Sequence, residues 1–263
     1  MTTCKNCAAE YEGKFCPNCG QKAKTSRITF RQVFKDIRDQ FIHFDQGFLY
    51  TIKELALRPG HSIREYVEGK RVRHVKPIKF MIWAAAISFF IAHFLGFQEH
   101  LVQRLQAESE AKGRSTQSTQ KLVEFIMGHP NILMLMTIPT IAFCAWLFFR
   151  KKRLNYAEYF SINAFLMGQL SILSIATNVG FAFWRDLTAQ HLALIGVLQW
   201  CVWTLYFGWT YSQFFNQPQK VFAWLKGVFV LVTGYILLIL IIGLLATTVM
   251  YFFKPQIEAW LAN

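Results

Sequence analysis

Four of the six cysteines fall within one short stretch near the start of the chain, "CKNCAAEYEGKFCPNCG" (Cys4–Gly20). Their spacing is Cys-x2-Cys-x8-Cys-x2-Cys. A two-residue gap lets one tight turn offer both thiolates of a pair to a single ion, and Zn²⁺ takes four such donors at about 2.3 Å in a tetrahedron. Cys4, Cys7, Cys16 and Cys19 are therefore expected to bind one structural Zn²⁺. Iron in the same sulfur set and a pair of disulfides are the alternatives; a cytoplasmic head, where thiols stay reduced, favours metal over disulfides. Four thiolates close the coordination shell and leave no open position for a substrate, so the chemistry is structural rather than catalytic. Gly20 suits a turn that needs positive φ, and Gly13 a chain reversal between the pairs. Only Tyr11 and Phe15 are sizeable apolar residues here, too few for a core, so metal must supply the folding energy. Lys5, Lys14, Lys22 and Lys24 partly offset the formal charge of −2 on a zinc–tetrathiolate.

The elements that must carry this head are of another kind. The 263 residues are 54% hydrophobic with 26 Phe and only 16% charged, where a soluble domain holds about 25%. Five apolar runs are long enough to cross about 30 Å of hydrocarbon: residues 78–97, 132–149, 159–184, 192–215 and 228–253. The first begins far from the N-terminus, so no signal peptide is expected. Net charge is +13, and residues 1–79 hold 16 Lys+Arg against 8 Asp+Glu. Lys70, Arg71, Arg73, Lys76 and Lys79 precede the first run; "RKKR" (Arg150–Arg153) follows the second; Lys220 and Lys226 lie between the fourth and fifth. The alternate connections are balanced, and "ESEAKGRSTQSTQ" (Glu108–Gln120) reads as a polar stretch. The positive-inside rule then places the N-terminus and "RKKR" in the cytoplasm and the C-terminus outside, as an odd number of spans requires.

Between head and membrane, "TFRQVFKDIRDQFIHF" (Thr29–Phe44) sets Phe30, Val33, Phe34, Ile37, Phe41 and Phe44 on one helical stripe, with Arg31, Lys35, Asp36, Arg38 and Asp39 opposite. Such a helix packs on protein or lies in the bilayer interface. A second helix is expected from Phe48 to Leu57, stopped by Pro59-Gly60, and Ser62-Ile63-Arg64-Glu65 fits a capping box. The basic run from Lys70 to Lys79 is a topology anchor and a candidate contact for anionic lipid headgroups through Lys70, Arg71, Arg73, Lys76 and Lys79.

The cysteine head followed by "DQGFLYTIKELALRPGHSIREYVEGKRVRHVKPIKF" resembles an uncharacterised family (domain of unknown function) of bacterial polytopic membrane proteins with an N-terminal zinc ribbon. The matching elements are Arg58-Pro59-Gly60, Ile63, Tyr66, Gly69-Lys70-Arg71 and Pro77. "NYAEYF" (Asn155–Phe160) is similar to that family's Tyr-x-Glu-His stretch, with Tyr159 where His is usual. The resemblance implies architecture and a bacterial inner membrane, and no activity. Topology alone also resembles Yip-type membrane proteins.

No phosphate-binding loop, zincin motif or nucleophile elbow is present. His43, His61, His74, His93, His100, His129 and His191 are scattered. His93 lies near the outer end of the first span, within reach of the interface. Asn163, Gln169, Asn178 and Gln199 at membrane depth are accounted for by interhelical hydrogen bonds, Cys144 and Cys201 by packing, and Pro139 by a kink in the second span. The expectation is an all-α, five-span membrane protein. Residues 1–24 form a zinc ribbon, 25–77 amphipathic cytoplasmic helices, 78–253 the membrane domain and 254–263 a short tail. Its function is read as a non-enzymatic scaffold or regulatory module with lipid and protein partners and no nucleic acid. A transporter or channel component for a neutral or hydrophobic substrate is the alternative, and a membrane enzyme a third class. Single cysteines placed near Ser115 and near Asn155 should differ in intact spheroplasts, with only the first labelled by an impermeant maleimide; efficient labelling near Asn155 would reverse or break the five-span arrangement.

Overall fold

A computed structural model describes residues 1–33, 47–96, 130–183, 189–216 and 220–261. The head is built from two similar knuckles. In the first, Cys4 N–H donates to Ala9 O and Ala8 N–H to Cys4 O, both 2.9 Å; in the second, Cys16 N–H donates to Gln21 O and Gly20 N–H to Cys16 O, both 2.8 Å. Ala8 (φ 59°) and Gly20 (φ 75°) occupy the same left-handed position of their knuckles, where glycine is unstrained and alanine is not. Strand β1 (Thr2–Thr3) pairs antiparallel with β2 (Glu10–Tyr11) across the first knuckle, and Phe15 bridges to Lys22 across the second. Tyr11 is buried beside the sulfurs, while Phe15 is exposed.

Among the described residues the head is followed by seven helices of a full turn or more beyond residue 46: α1 (Gly47–Leu57), α2 (Pro59–Glu68), α3 (Pro77–Phe94), α4 (Pro130–Phe148), α5 (Tyr156–Phe183), α6 (Ala189–Phe215) and α7 (Lys220–Leu261). Prolines set two starts: Pro59 and Pro77 each open a helix at its first turn, where a missing N–H costs nothing. Gly69 (φ 122°) ends α2, its N–H donating to Glu65 O and Tyr66 O. Pro139 lies inside α4, and the Tyr156 hydroxyl donates to its carbonyl at 2.9 Å. The long helices pack in the order α3–α5–α4–α7–α6, and α2 lies across the end of α6. Phe80, Ile141, Tyr159, Phe165, Phe207 and Tyr211 fill the centre. Leu194, Leu198, Leu205, Ile239, Leu240 and Leu244 of α6 and α7 point outward and are exposed.

The five expected spans are met in part, and other expectations change. Among the described residues, three helices carry segments long and apolar enough to cross a membrane: Pro77–Phe94, Tyr156–Gly180 and Lys220–Leu245. The second expected span is helical in α4, with the shorter apolar stretch Met136–Phe148. The fourth is helical in α6, whose last turns carry Gln213, the acceptor for the Gly60 N–H of α2. The fifth continues as helix to Leu261, through most of the expected tail. Ser62 is not a cap, because α2 already begins at Pro59; it is buried inside the helix, and Glu65 turns to Arg58 instead. Cys144 is buried as expected, but Cys201 is exposed on α6. Of the amphipathic stripe, Phe30 meets Tyr156 and Phe160 and Val33 is buried; Phe34, Ile37, Phe41 and Phe44 lie outside the described residues, as do His43, His100, His129 and the polar stretch Glu108–Gln120.

The α2–α6 crossing depends on Gly60. A Cβ there would overlap the Thr210 carbonyl and the Phe214 backbone nitrogen, neither of which can move without unwinding α6. Gly60→Ala should lower stability by about 1–3 kcal/mol. Gly180→Ala, at a helical site with nothing within 4 Å of the added carbon, should be neutral or slightly stabilising. Thermal melting of both variants in detergent checks the contrast.

Candidate metal centre

The two knuckles bring four sulfurs together. Sγ of Cys4 and Cys19 are 3.5 Å apart, those of Cys7 and Cys16 3.6 Å, and all four lie within 4.8 Å of one another. A regular tetrahedron with bonds of about 2.3 Å has edges of about 3.8 Å, so the set fits one small tetrahedral ion. None of the four is in a disulfide. Cys4 and Cys16 are buried, Cys7 and Cys19 partly so. Zn²⁺ bound here would join both knuckles and close the site against substrate.

Backbone groups polarise the sulfurs unequally. The Ala9 N–H pulls the Cys7 thiol down to about 6, against the opposing effect of burial, with help from Cys16, Cys19 and Cys4. At Cys19 the Gln21 N–H also pulls downward, but burial and the other three sulfurs outweigh it and push the thiol up to about 11. Without a cation the cluster thus holds at least one proton at neutral pH, and a bound metal ion displaces it.

The ribbon does not hang free; its tail is sewn to the helices. Gln21, two residues beyond Cys19, is buried, and its Oε1 accepts the Arg71 N–H at 3.2 Å. Arg71 then donates through its side chain to Tyr66 O and Ser26 O at 3.1 Å each, and its guanidinium lies over the Tyr66 ring. Lys5 reaches Thr25 O at 3.5 Å. Arg27 grips Glu158 with two bonds, Nε to Oε1 at 2.9 Å and Nη2 to Oε2 at 2.6 Å, and also donates to Arg153 O at 2.8 Å. The Asn155 side chain donates to Ile28 O at 3.0 Å.

Glu158 is ready for this contact because Asn155 and Glu158 form a true capping box on α5. Glu158 N–H donates to Asn155 Oδ1 and Asn155 N–H to Glu158 Oε2, both at 2.8 Å. An Asn followed three residues later by Glu, before an apolar run, is a signal that could have been read from the sequence. Tyr159, the residue standing in place of His, is fully buried and donates to Phe149 O at 3.0 Å. Asn163 is satisfied as expected, donating to Tyr159 O at 2.8 Å and accepting from the Tyr211 hydroxyl at 3.2 Å. Gln199 accepts from Thr177 at 2.8 Å, whereas the buried Gln169 Oε1 has no partner among the described residues.

The basic run before α3 divides by role. Arg71 spends its donors on the ribbon tail and α2, and Lys70 sits 3.6 Å from Glu65. Arg73 is exposed, while Lys76 and Lys79 flank the start of α3 half-buried. Other cations do work that the sequence did not reveal. Arg58 ties Glu54 (2.5 Å) to Glu65 (3.3 Å) across the α1–α2 corner. Arg64 donates to Phe214 O at 2.5 Å and to Gln213 O, filling the open carbonyls at the end of α6. Gly60 N–H donates to Gln213 Oε1 at 3.1 Å. His74 lies among the rings of Tyr50, Tyr66 and Phe165, and burial pushes it below its ordinary value, so it packs as a neutral ring. His93, in the last turn of α3, is exposed and stacks on Phe89.

A family described as "Protein of unknown function (DUF3667)" matches residues 45–89, the span of α1, α2 and the first part of α3. No curated protein and no solved structure matches the chain. The matched segment contains Arg58, Gly60, Arg64 and Arg71, the residues that join α1, α2, α6 and the ribbon tail. Proton release on loading the head with Zn²⁺ should report the uneven thiols. Between pH 7.5 and pH 5 the number released per ion should rise by about one, as Cys7 becomes protonated in the metal-free head, and affinity should fall accordingly. Titration calorimetry in buffers of different ionisation enthalpy measures this; a constant count would contradict it.

Proposed function

We propose that this chain is a non-enzymatic membrane scaffold or regulatory module of the bacterial cytoplasmic membrane, with five spans, the ribbon inside and the C-terminus outside. Its Cys4 site holds structural Zn²⁺. The observation that carries the reading is the path from sulfurs to helices. Gln21, Ser26, Arg27 and Ile28 leave the metal site and bond directly to Arg71, Glu158 and Asn155. A metal-stapled knob placed so makes the cytoplasmic ends of α2, α3 and α5 one surface. The four sulfurs fill their own coordination shell, which favours a structural role over turnover.

Five spans are favoured by the outward apolar side chains of α6 and α7, by helix α4 beside them, and by the placement of Arg150–Arg153, Lys220 and Lys226 at the same end as the ribbon. The partners that suit such a body are anionic headgroups around its cytoplasmic rim and a protein docking on the ribbon. Nucleic acid is the poorer fit, because the ribbon offers turns and no recognition helix, and Arg71 is occupied.

The seating of the ribbon is the testable core of this reading. In reconstituted protein, Arg27→Ala should raise amide exchange across residues 21–33 by about tenfold, as loss of a bond to a buried carboxylate costs about 1–3 kcal/mol. Removing zinc with a chelator should do the same, while α3 and α5 stay protected. Unchanged exchange in both cases would detach the head from the bundle. Substrate-specific solute flux that survives chelation would favour a transporter instead.

A further inference from the structure

At the ribbon end of the bundle a second group of cations is held by aromatic rings rather than by acids. Phe149, just after α4, and Phe215, at the end of α6, stack with centroids 4.2 Å apart. Lys152 Nζ lies 5.7 Å from the Phe215 centroid, and Lys226 Nζ lies 5.7 Å from Phe149 and 4.9 Å from Phe222. Arg150, on the same 3-10 turn as Lys152 (Arg150–Lys152), lies over Trp146 at 5.6 Å. The 3-10 turn and α7 thus point Lys152 and Lys226 at one aromatic stack, with Arg150 held on Trp146 beside it. Ring faces fix a cation without neutralising it, so its donors stay available to an anion.

No acid competes for them. The stretches 149–156 and 216–229 contain no Asp or Glu, and the nearest carboxylate in sequence, Glu158, is taken by Arg27. Among the described residues none of Arg150, Lys152 and Lys226 forms an ion pair. Directly below this rim, α4 and α7 pack together and expose Phe143 and Leu147 on one side and Leu225, Phe229 and Val232 on the other. A cationic mouth over an apolar flank matches a molecule with a phosphate at one end and acyl chains at the other.

We propose that Lys152 and Lys226, with Arg150 beside them, form a binding site for the phosphate headgroup of an anionic phospholipid, whose chains lie along α4 and α7. The site differs from the basic run before α3, where Arg71 already serves the ribbon. It rests on the membrane reading above. The apolar flank selects a lipid phosphate over a free one.

The test uses the full chain in nanodiscs of phosphatidylcholine containing a minor share of phosphatidylglycerol, with retained lipids counted by native mass spectrometry. The wild type should keep phosphatidylglycerol against the excess of neutral lipid. Lys152→Gln/Lys226→Gln should lose this preference by about 25-fold, about fivefold for each lysine near an anionic surface. Lys151→Gln, on the same turn without a ring contact, should change it little. Should the double variant fail to fold, each single variant is expected to show its own fivefold loss. Equal retention of phosphatidylglycerol by wild type and a folded double variant overturns the site. So does displacement of the lipid by millimolar inorganic phosphate, which would make the ligand a free anion. A chain that fails to enter nanodiscs refutes the membrane reading itself, a result distinct from insertion without anionic preference.

Discussion

The arrangement of the head depends on one buried carboxylate. The Glu158 side chain is only 3% exposed at the first turn of α5, and a charge in that position is tolerated only when its oxygens are bonded. Three donors meet them: Arg27 Nε, Arg27 Nη2 and Asn155 N–H. Two come from a residue 131 positions away, on the strand of chain that leaves the metal site. Arg27 is itself largely exposed, so its position must be imposed from elsewhere. The ribbon imposes it. Its two knuckles fix the exit of the chain at Gln21, Arg71 holds Gln21 and Ser26, and Arg27 then falls opposite Glu158.

The division of labour among cations follows from their chemistry. Arg27, Arg58, Arg64 and Arg71 each make two or more bonds in fixed directions, to a carboxylate pair or to successive backbone carbonyls. A planar fork of donors does this, and a point charge on a flexible stem does not. Lys152 and Lys226 lean on aromatic faces at the rim, where a compact, hydrated charge is less costly. The folded arginines therefore join elements, and the rim lysines face the surroundings. A count of basic residues, from which orientation is read, treats the two groups alike.

The cluster of four sulfurs was legible because tetrahedral metal binding demands those residue types at that spacing. Pro59 was an equally plain marker of a helix end, since its backbone limits act locally, whereas Gly69 and Pro77 act the same way but were noticed for resemblance alone. Ser62-x-x-Glu65 misled because the same letters can start a helix or sit inside one that a proline started three residues earlier. The functioning box, Asn155-x-x-Glu158, lay in a motif noticed for resemblance alone. Long-range pairings were not legible at all: nothing local in "SRITF" names Glu158, and nothing in α6 announces that Gln213 will accept from Gly60.

The same limit explains the mixed apolarity of the helices. A span is recognised from sequence by uniform apolarity, but a helix that also seats another element must carry polar groups for it. Thr210 is fully buried with its hydroxyl turned back to Tyr206 O, and Gln213 faces α2. The Thr210 hydroxyl and the Gln213 Oε1 both find their partners within the protein. The outward face of α6 tells the other half: Leu194, Val197, Leu198, Val202 and Leu205 are exposed and apolar. Gln213 thus serves the contact with α2 at one end of α6, while the apolar side chains of its middle turns face outward.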